Sequence, residues 1–448
     1  MTDADWKSRR LHFVGIGGAG MSGWASVSAE LGAEVSGSDA GDSPVLAQLR
    51  REGIGAYAGH DAARLPAGDN LELVRSTAVA DENEEIVAAR ERGLRVMERE
   101  ELLAELTAMR RTIAVAGAHG KTTTSSMIAQ LLIDTGRDPG YLIGGSLQSS
   151  GRNARWGSGE WLVVEADESD KSLLKLHADI AVVTNIELDH HAVYRSLDEL
   201  REVFREFLAD PELAILPDDQ AVVELRAGLP AVAFSVSGLE LFDGGARFEW
   251  RGLQATLNVP GAHNAANAVA ALEAAKAAGV PDTDAVAAIS NFAGAGRRFE
   301  RLGRSASGAL IVDDYAHHPT EVAATIAAAR TLNPERLVVV FQPHLFSRTE
   351  QLALEFGNAL ADADLVLVLD IYRSREDPSD FPAVSSKLIV DAALSGGGEV
   401  EVHWTPEFDD AAALLGPALR SGDLCLILGA GDVRRLGEDL AIAPIQED

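Results

Sequence analysis

Short apolar runs recur along this chain, each running into a Gly- or His-bearing turn and then into a stretch with helical spacing of apolar positions. In "LHFVGIGGAGMSGWASVSAELGAEVSGSD" the pattern predicts a strand over 11–14, a helix over about 21–31 and a second strand ending near Asp39, a β-α-β unit. "RTIAVAGAHGKTTTSSMIAQLL" repeats strand, loop and helix, and "EWLVVEADESD" and "HADIAVVTNIELDHH" add strands whose C-terminal ends carry carboxylates and histidines. A third block opens near "RRFERLG", with strands in "ALIVDDYAHHP", "RLVVVFQPHLFSRT", "DLVLVLDIY" and "DLCLILGAGD". Strands alternating with helices predict an α/β protein with mostly parallel sheets, in which ligands sit beyond the strand C-termini. The polar clusters all lie there. At 448 residues the chain exceeds one ordinary core, and three domains are expected, over 1–107, 108–296 and 297–448.

Composition narrows the function. A net charge of −30 argues against nucleic acid and anionic membrane as partners, since both are bound through clustered Lys and Arg. No apolar run reaches the roughly 18 residues of a membrane span, and "MTDADWKSRR" lacks the apolar segment of a secretory signal, so a cytoplasmic protein is expected. The only cysteine, Cys425, sits in an apolar run and reads as packing. With only six lysines in the chain, Lys121 inside a glycine loop stands out.

Gly15, Gly17 and Gly20 form Gly-x-Gly-x-x-Gly between strand and helix, with Asp39 about 20 residues on, a pattern that brings backbone N–H groups against a diphosphate. The pattern specifies a diphosphate, of which NAD is one of several. Gly117, Gly120, Lys121, Thr122 and Thr123 form a phosphate loop that departs from the strict pattern at Val115. Lys121 can reach β/γ oxygens and a threonine hydroxyl can bind Mg²⁺. Glu165, with Asp189, His190 and His191 one strand away, can complete a metal site. Asn264 and Asn267, beside His263, share a helix face and suit a purine edge. Arg297 and Arg298 lie at the expected hinge. Asp313, Asp314, Tyr315, His317 and His318 occupy one strand-to-helix turn, with Pro319 suited to the first helical position, and His344, Ser347 and Arg348 another. Spacing does not say which turn is catalytic.

Taken in order, "HFVGIGGAGMSG", "VSGSD", "GAHGKTTT", "EADESD", "VVTNIELDH", "HNAANA", "RRFERLG", "DDYAHHPTEV", "FQPHLFSRT" and "LGAGD" resemble the Mur ligases over nearly the whole chain. The resemblance implies an N-terminal Rossmann-like domain that binds a UDP sugar, a central P-loop ATPase-like domain and a C-terminal Rossmann-like ligase domain. It implies ATP-dependent joining of L-alanine to the carboxylate of UDP-N-acetylmuramate through an acyl phosphate, in peptidoglycan precursor synthesis, by a monomer or weak homodimer. By the same resemblance the loop with Gly15, Gly17, Gly18 and Gly20 would hold the UDP diphosphate, and Ser38 and Asp39 would bind the same substrate. Lys121, Thr122, Glu165 and His190 would serve ATP and two Mg²⁺ ions, with Gly117, Gly120 and Thr123 in the same loop. His263, Asn264 and Asn267 would lie at the adenine, Arg298 at the phosphates and Asp313 at the ribose. His119, Tyr315, His318 and Arg348 would face the substrates, and Lys121, Glu165, His190 and Arg298 would carry the catalysis.

The chain departs from the family pattern in Leu345 and Phe346, where Arg and Tyr are usual, in Lys171 and in Leu173, and it has no lysine between 176 and 275. A sister ligase attaching a recycled peptide, an NAD-dependent dehydrogenase and an inactive scaffold are the alternatives. Lys121→Ala is expected to remove ligation with little loss of fold.

Overall fold

The computed structural model describes residues 3–442 apart from 190–192, 227, 375 and 397–399. They form two compact units, one of residues 1–186, 198–235 and 270–288, the other of 187–197, 236–269 and 289–448.

The first unit holds two sheets. Its N-terminal sheet is all parallel, in the order Gly55–Ala58, Glu34–Asp39, Arg10–Val14, Leu71–Arg75, Arg95–Glu98. Arg10–Val14 is central because "LHFV" is buried on both faces, as a parallel strand covered by helices must be. The next strands add on either side of it, which puts the crevice of such a sheet beyond Val14, where the glycine loop begins. The second sheet has seven strands, with Arg111–Ala116 at its middle between Ile180–Val183 and Trp161–Glu165. Only its Gly140–Leu142 and Ala154–Arg155 edge is antiparallel. Ile113, Val115, Leu162, Val163 and Val182 are fully buried, each contributing about 1.5–3 kcal/mol of transfer free energy. The Arg99–Thr107 helix joins the two sheets, started by a capping box between Glu98 and Glu101.

The second unit is built on a six-stranded sheet in the order Glu300–Arg304, Leu310–Asp314, Asp423–Leu428, Arg336–Phe341, Leu365–Val368, Glu401–Trp404, antiparallel only at Glu300–Arg304. A three-stranded antiparallel sheet over 237–257 accompanies it. Alternate residues of the buried strands feed two cores: Val339, Phe341 and Leu426 on one face, Val338, Val340 and Ile427 on the other. Cys425 belongs to the second core, where burial pushes its thiol up to about 12. It is packing, as its sequence context predicts.

The α/β class and its mostly parallel sheets agree with the sequence reading. The 237–257 meander and the edge strands Glu300–Arg304 and Glu401–Trp404 were not foreseen. "ERLGR" carries a bulge between Arg301 and Gly303, and "EVHW" is short and partly exposed, so neither shows the apolar run of a buried parallel strand. Among the described residues, no helix is long and apolar enough to cross a membrane.

Candidate functional site

In the first unit the phosphate loop leaves the central strand at Ala116. Gly117 has φ 134°, and a Cβ there would collide with Thr184 Oγ1, so no other residue fits. The loop is pinned from the neighbouring strand end. Thr184 Oγ1 and Asn185 Nδ2 donate to the His119 carbonyl at 2.5 and 2.9 Å, and the His119 N–H donates to Asn185 Oδ1 at 3.0 Å. Gly120, in the left-handed conformation at φ 81°, starts the Lys121–Asp134 helix without a side-chain cap. Such a helix start presents N–H groups to an anion.

Lys121 Nζ donates to the Gly117 carbonyl at 2.6 Å and to both carboxylate oxygens of Glu168 at 2.9 and 3.1 Å. Burial opposes its charge, but the carboxylates of Glu168, Asp167 and Glu165 outweigh that and hold its pKa above the ordinary lysine value. Glu165 accepts from Thr122 Oγ1 at 3.1 Å, from Ser125 Oγ at 3.2 Å and from the Gly144 N–H at 2.5 Å. Thr122 and Glu165 therefore meet as expected, while Thr123 is buried in the helix. Glu168 is the partner that sequence reasoning missed. The signal was the crowding of acids in "EADESD", where each carboxylate needs a cation or a donor.

In the N-terminal loop the Ser38 carbonyl accepts from the N–H groups of Gly15 and Ile16 at 2.8 and 2.9 Å. Asp39 Oδ2 accepts from the Gly17 N–H at 2.8 Å, and Gly18 caps the Ala19–Glu30 helix, with Gly20 in its first turn. The Ser38 side chain points inward instead, donating to Glu85 and lying 2.8 Å from His60 Nδ1. Its contribution to the loop is its carbonyl. Between the two sheets of this unit lies a cleft of about 740 Å³, open in part to solvent, that brings Gly20 and Trp24 of the first loop's helix to Lys121, Gly144 and Glu165 of the second.

The second unit gathers the other candidates. Arg298 is flanked by Arg297 and Phe299 at φ 59° and 49°, a strained turn of the kind concentrated at functional sites. Its guanidinium lies 5.1 Å from the centre of the Tyr315 ring and 3.9 Å from Glu321. Tyr315, His317, His344 and Tyr372 form a ladder of ring contacts at 5.3, 6.0 and 5.7 Å. His318 Nδ1 accepts from the Thr320 N–H, capping the Pro319–Arg330 helix with Pro319 at its first position. Arg348 forms a buried pair with Asp189 at 2.7 Å, both side chains 4% exposed. Asn264 Nδ2 donates to the Pro260 carbonyl at 2.8 Å, and Asn267 Nδ2 to Asn264 Oδ1 at 3.3 Å, with His263 exposed beside them. Leu345, where the family pattern has Arg, has φ 75° at the start of the Phe346–Leu360 helix. Asp313 is fully buried, its Oδ2 2.9 Å from Arg434 Nη1 and 3.4 Å from Arg297 Nε. The His190 position lies outside the described residues.

Asp314 accepts from the N–H groups of Phe299 and Ala316 at 2.7 and 2.8 Å, and burial pushes its carboxyl up to about 6. A raised carboxyl favours the protonated fold. That stability is full below the ordinary 3.8 and is lost as pH rises through about 6, a change of about 3 kcal/mol. Urea unfolding of the wild type and Asp314→Asn at pH 4 to 7.5 should show the stability difference, wild type minus variant, falling by about that amount. A difference independent of pH would refute the assignment.

Comparison with known proteins adds three family matches: the Mur ligase catalytic domain over residues 10–111, the Mur ligase middle domain over 115–275, and the glutamate ligase domain of Mur ligases over 297–431. The UDP-N-acetylmuramate–L-alanine ligase of Streptomyces coelicolor is 44% identical over 96% of both chains, and that of Desulforamulus reducens 41% identical over 97% of both. The crystal structure of the UDP-N-acetylmuramate-alanine ligase of Thermotoga maritima superposes with a TM-score of 0.82 at 27% identity, covering 96% of this chain and 98% of that one. A murein peptide ligase from Psychrobacter arcticus follows at a TM-score of 0.73 and 25% identity, covering 98% and 100%.

Proposed function

The chain belongs to the Mur ligase family, and from that premise we propose that it joins L-alanine to the carboxylate of UDP-N-acetylmuramate, using ATP and releasing ADP and phosphate, in peptidoglycan precursor synthesis. The observation that carries the reading is the cleft of the first unit, lined both by Gly20 of the diphosphate-type loop and by Lys121 of the phosphate loop with Glu165 of the neighbouring strand. A carboxylate presented from one loop meets a γ-phosphoryl group held by the other. Use of two nucleotide substrates supports a cytoplasmic reaction.

The residues divide the work. The loop from Gly15 to Gly20, held by Asp39 through the Gly17 N–H, takes the UDP diphosphate; Gly117 to Thr123 take the ATP phosphates. Lys121 leaves Glu168 for the β/γ oxygens and neutralises charge that spreads over them during transfer. Thr122 Oγ1 and Glu165, hydroxyl and carboxylate oxygens 3.1 Å apart, are the hard donors that suit Mg²⁺, and a bound Mg²⁺ supplies further neutralisation of phosphoryl charge. Phosphorylation turns the carboxylate oxygen into a good leaving group, the amine of L-alanine attacks the acyl carbon, and phosphate departs. In the second unit Arg298, Tyr315 and His318 are the residues proposed for the nucleotide and the amino acid, and His263, Asn264 and Asn267 for the adenine; Arg348 and Asp313 are buried in ion pairs with Asp189 and Arg434 and hold the unit's own fold.

The test is phosphate release from ATP and Mg²⁺ with UDP-N-acetylmuramate, with and without L-alanine, and mass analysis of the product. Alanine-dependent release with an alanyl adduct is the expected result. Release with a peptide and none with alanine would favour the second reading, a peptide-adding ligase, to which the likeness with the Psychrobacter enzyme gives its support. An absorbance change with NAD and no phosphate release would overturn both.

A further inference from the structure

The cleft of the first unit is lined by two cations, Lys121 and Arg99, and by the carboxylates Glu165 and Asp167. Lys121 belongs to the phosphate loop. Arg99 comes from elsewhere, the first turn of the helix that follows the last strand of the N-terminal sheet. Its side chain is 23% exposed, and its guanidinium is anchored on one side: Nη2 pairs with Asp170 and Nε donates to Glu100 at 3.3 Å. Nη1 donates no hydrogen bond within the described residues and lies 4.0 Å from where a side chain at Gly20 would begin. The Trp24 ring, centred 5.7 Å from the guanidinium carbon, flanks it. A guanidinium with two nitrogens tied back and the third at the first turn of the glycine loop's helix is set to receive an anion from the cleft.

The chemistry calls for a second cation there. An acceptor carboxylate must approach a polyphosphate, and two unit charges 4 Å apart repel by about 4 kcal/mol at an effective dielectric constant of about 20. Lys121 is committed to the phosphates. We propose that Arg99 grips the carboxylate of the UDP-sugar substrate and presents it to the phosphate loop, an assignment that rests on the ligase reading above.

Steady-state kinetics of Arg99→Gln, Arg99→Lys and Asp170→Asn test it, with calorimetric binding of UDP-N-acetylmuramate and of ATP alone. Arg99→Gln should raise KM and Kd for the UDP sugar by about tenfold to a hundredfold and leave ATP binding within about twofold. Arg99→Lys, which keeps the ion pair, should recover part of the loss. Asp170→Asn keeps the guanidinium and a hydrogen-bond acceptor for it, and should cost less than about threefold. Equal losses in Arg99→Gln and Asp170→Asn, or a loss falling on ATP, would make Arg99 a structural strut and overturn the proposal. Should the wild type use a peptide in place of alanine, the ligase reading changes but the same shift in UDP-sugar KM, measured with the peptide, supports Arg99. A wild type that binds no UDP sugar overturns both.

Discussion

Lys121→Met is expected to lower alanine-dependent phosphate release by about 10³-fold or more, and also to destabilise the protein by about 3–5 kcal/mol. The second effect departs from the sequence-based expectation that the fold would hardly notice the loss of this lysine. Glu168 is only 2% exposed, and both of its oxygens rest on the Lys121 ammonium. Without the ammonium, the buried Glu168 carboxylate loses its principal cation. Neutralising both groups separates the two effects. Lys121→Met with Glu168→Gln removes the stranded charge, so denaturant unfolding should show most of the stability regained, while phosphate release stays lost. A double variant that ligates would remove Lys121 from the phosphate site, and a single variant as stable as wild type would show that the pair contributes nothing.

Glu165→Gln should lower turnover by about 10²- to 10³-fold at fixed Mg²⁺, the several kcal/mol of charge stabilisation that a metal supplies to phosphoryl transfer, with part of the loss recovered at higher Mg²⁺. Glu165 holds three donors, from Thr122, Ser125 and Gly144. The amide keeps one acceptor oxygen for them but presents an NH₂ group where the other stood. Binding of the UDP sugar alone, through the N-terminal loop, should change little. Titration of initial rates against Mg²⁺ reads the effect directly, and an unchanged Mg²⁺ dependence would remove Glu165 from the metal.

What the chain discloses by itself is what is local. The strand, the glycine turn and the helix follow one another within about 20 residues in both loops, so their periodicities and breakers lie in a single window of sequence. Side-chain destinations are another matter. Ser38 belongs to a loop motif, yet its hydroxyl turns to Glu85, which no spacing within the motif encodes. Asp313 sits in a turn rich in histidines, but its carboxylate is taken by Arg434, 121 residues on. Arg348 is expected from the resemblance to face the substrates and is found paired with Asp189, 159 residues away. These are long-range pairings of charges whose burial only the folded chain reveals. The 237–257 meander escaped for the opposite reason: its first strand is largely exposed, so the chain offers no apolar run to notice.

The order in which the first unit is assembled from the chain bears on its synthesis. Both glycine loops lie within the first 186 residues, but the unit also needs 198–235, which supplies the strands Leu213–Pro217 and Ala231–Phe234, and the helical segment 270–288. On a ribosome, then, the loops emerge well before the sheet that steadies the second of them is complete. Roughly 100 further residues must follow, about 5–20 s at 5–20 residues per second. Through that interval Arg111–Ala116 already has both of its neighbours, and it is the Ile180–Val183 edge that waits for Leu213–Pro217, a row of unpaired backbone groups open to pairing with another chain.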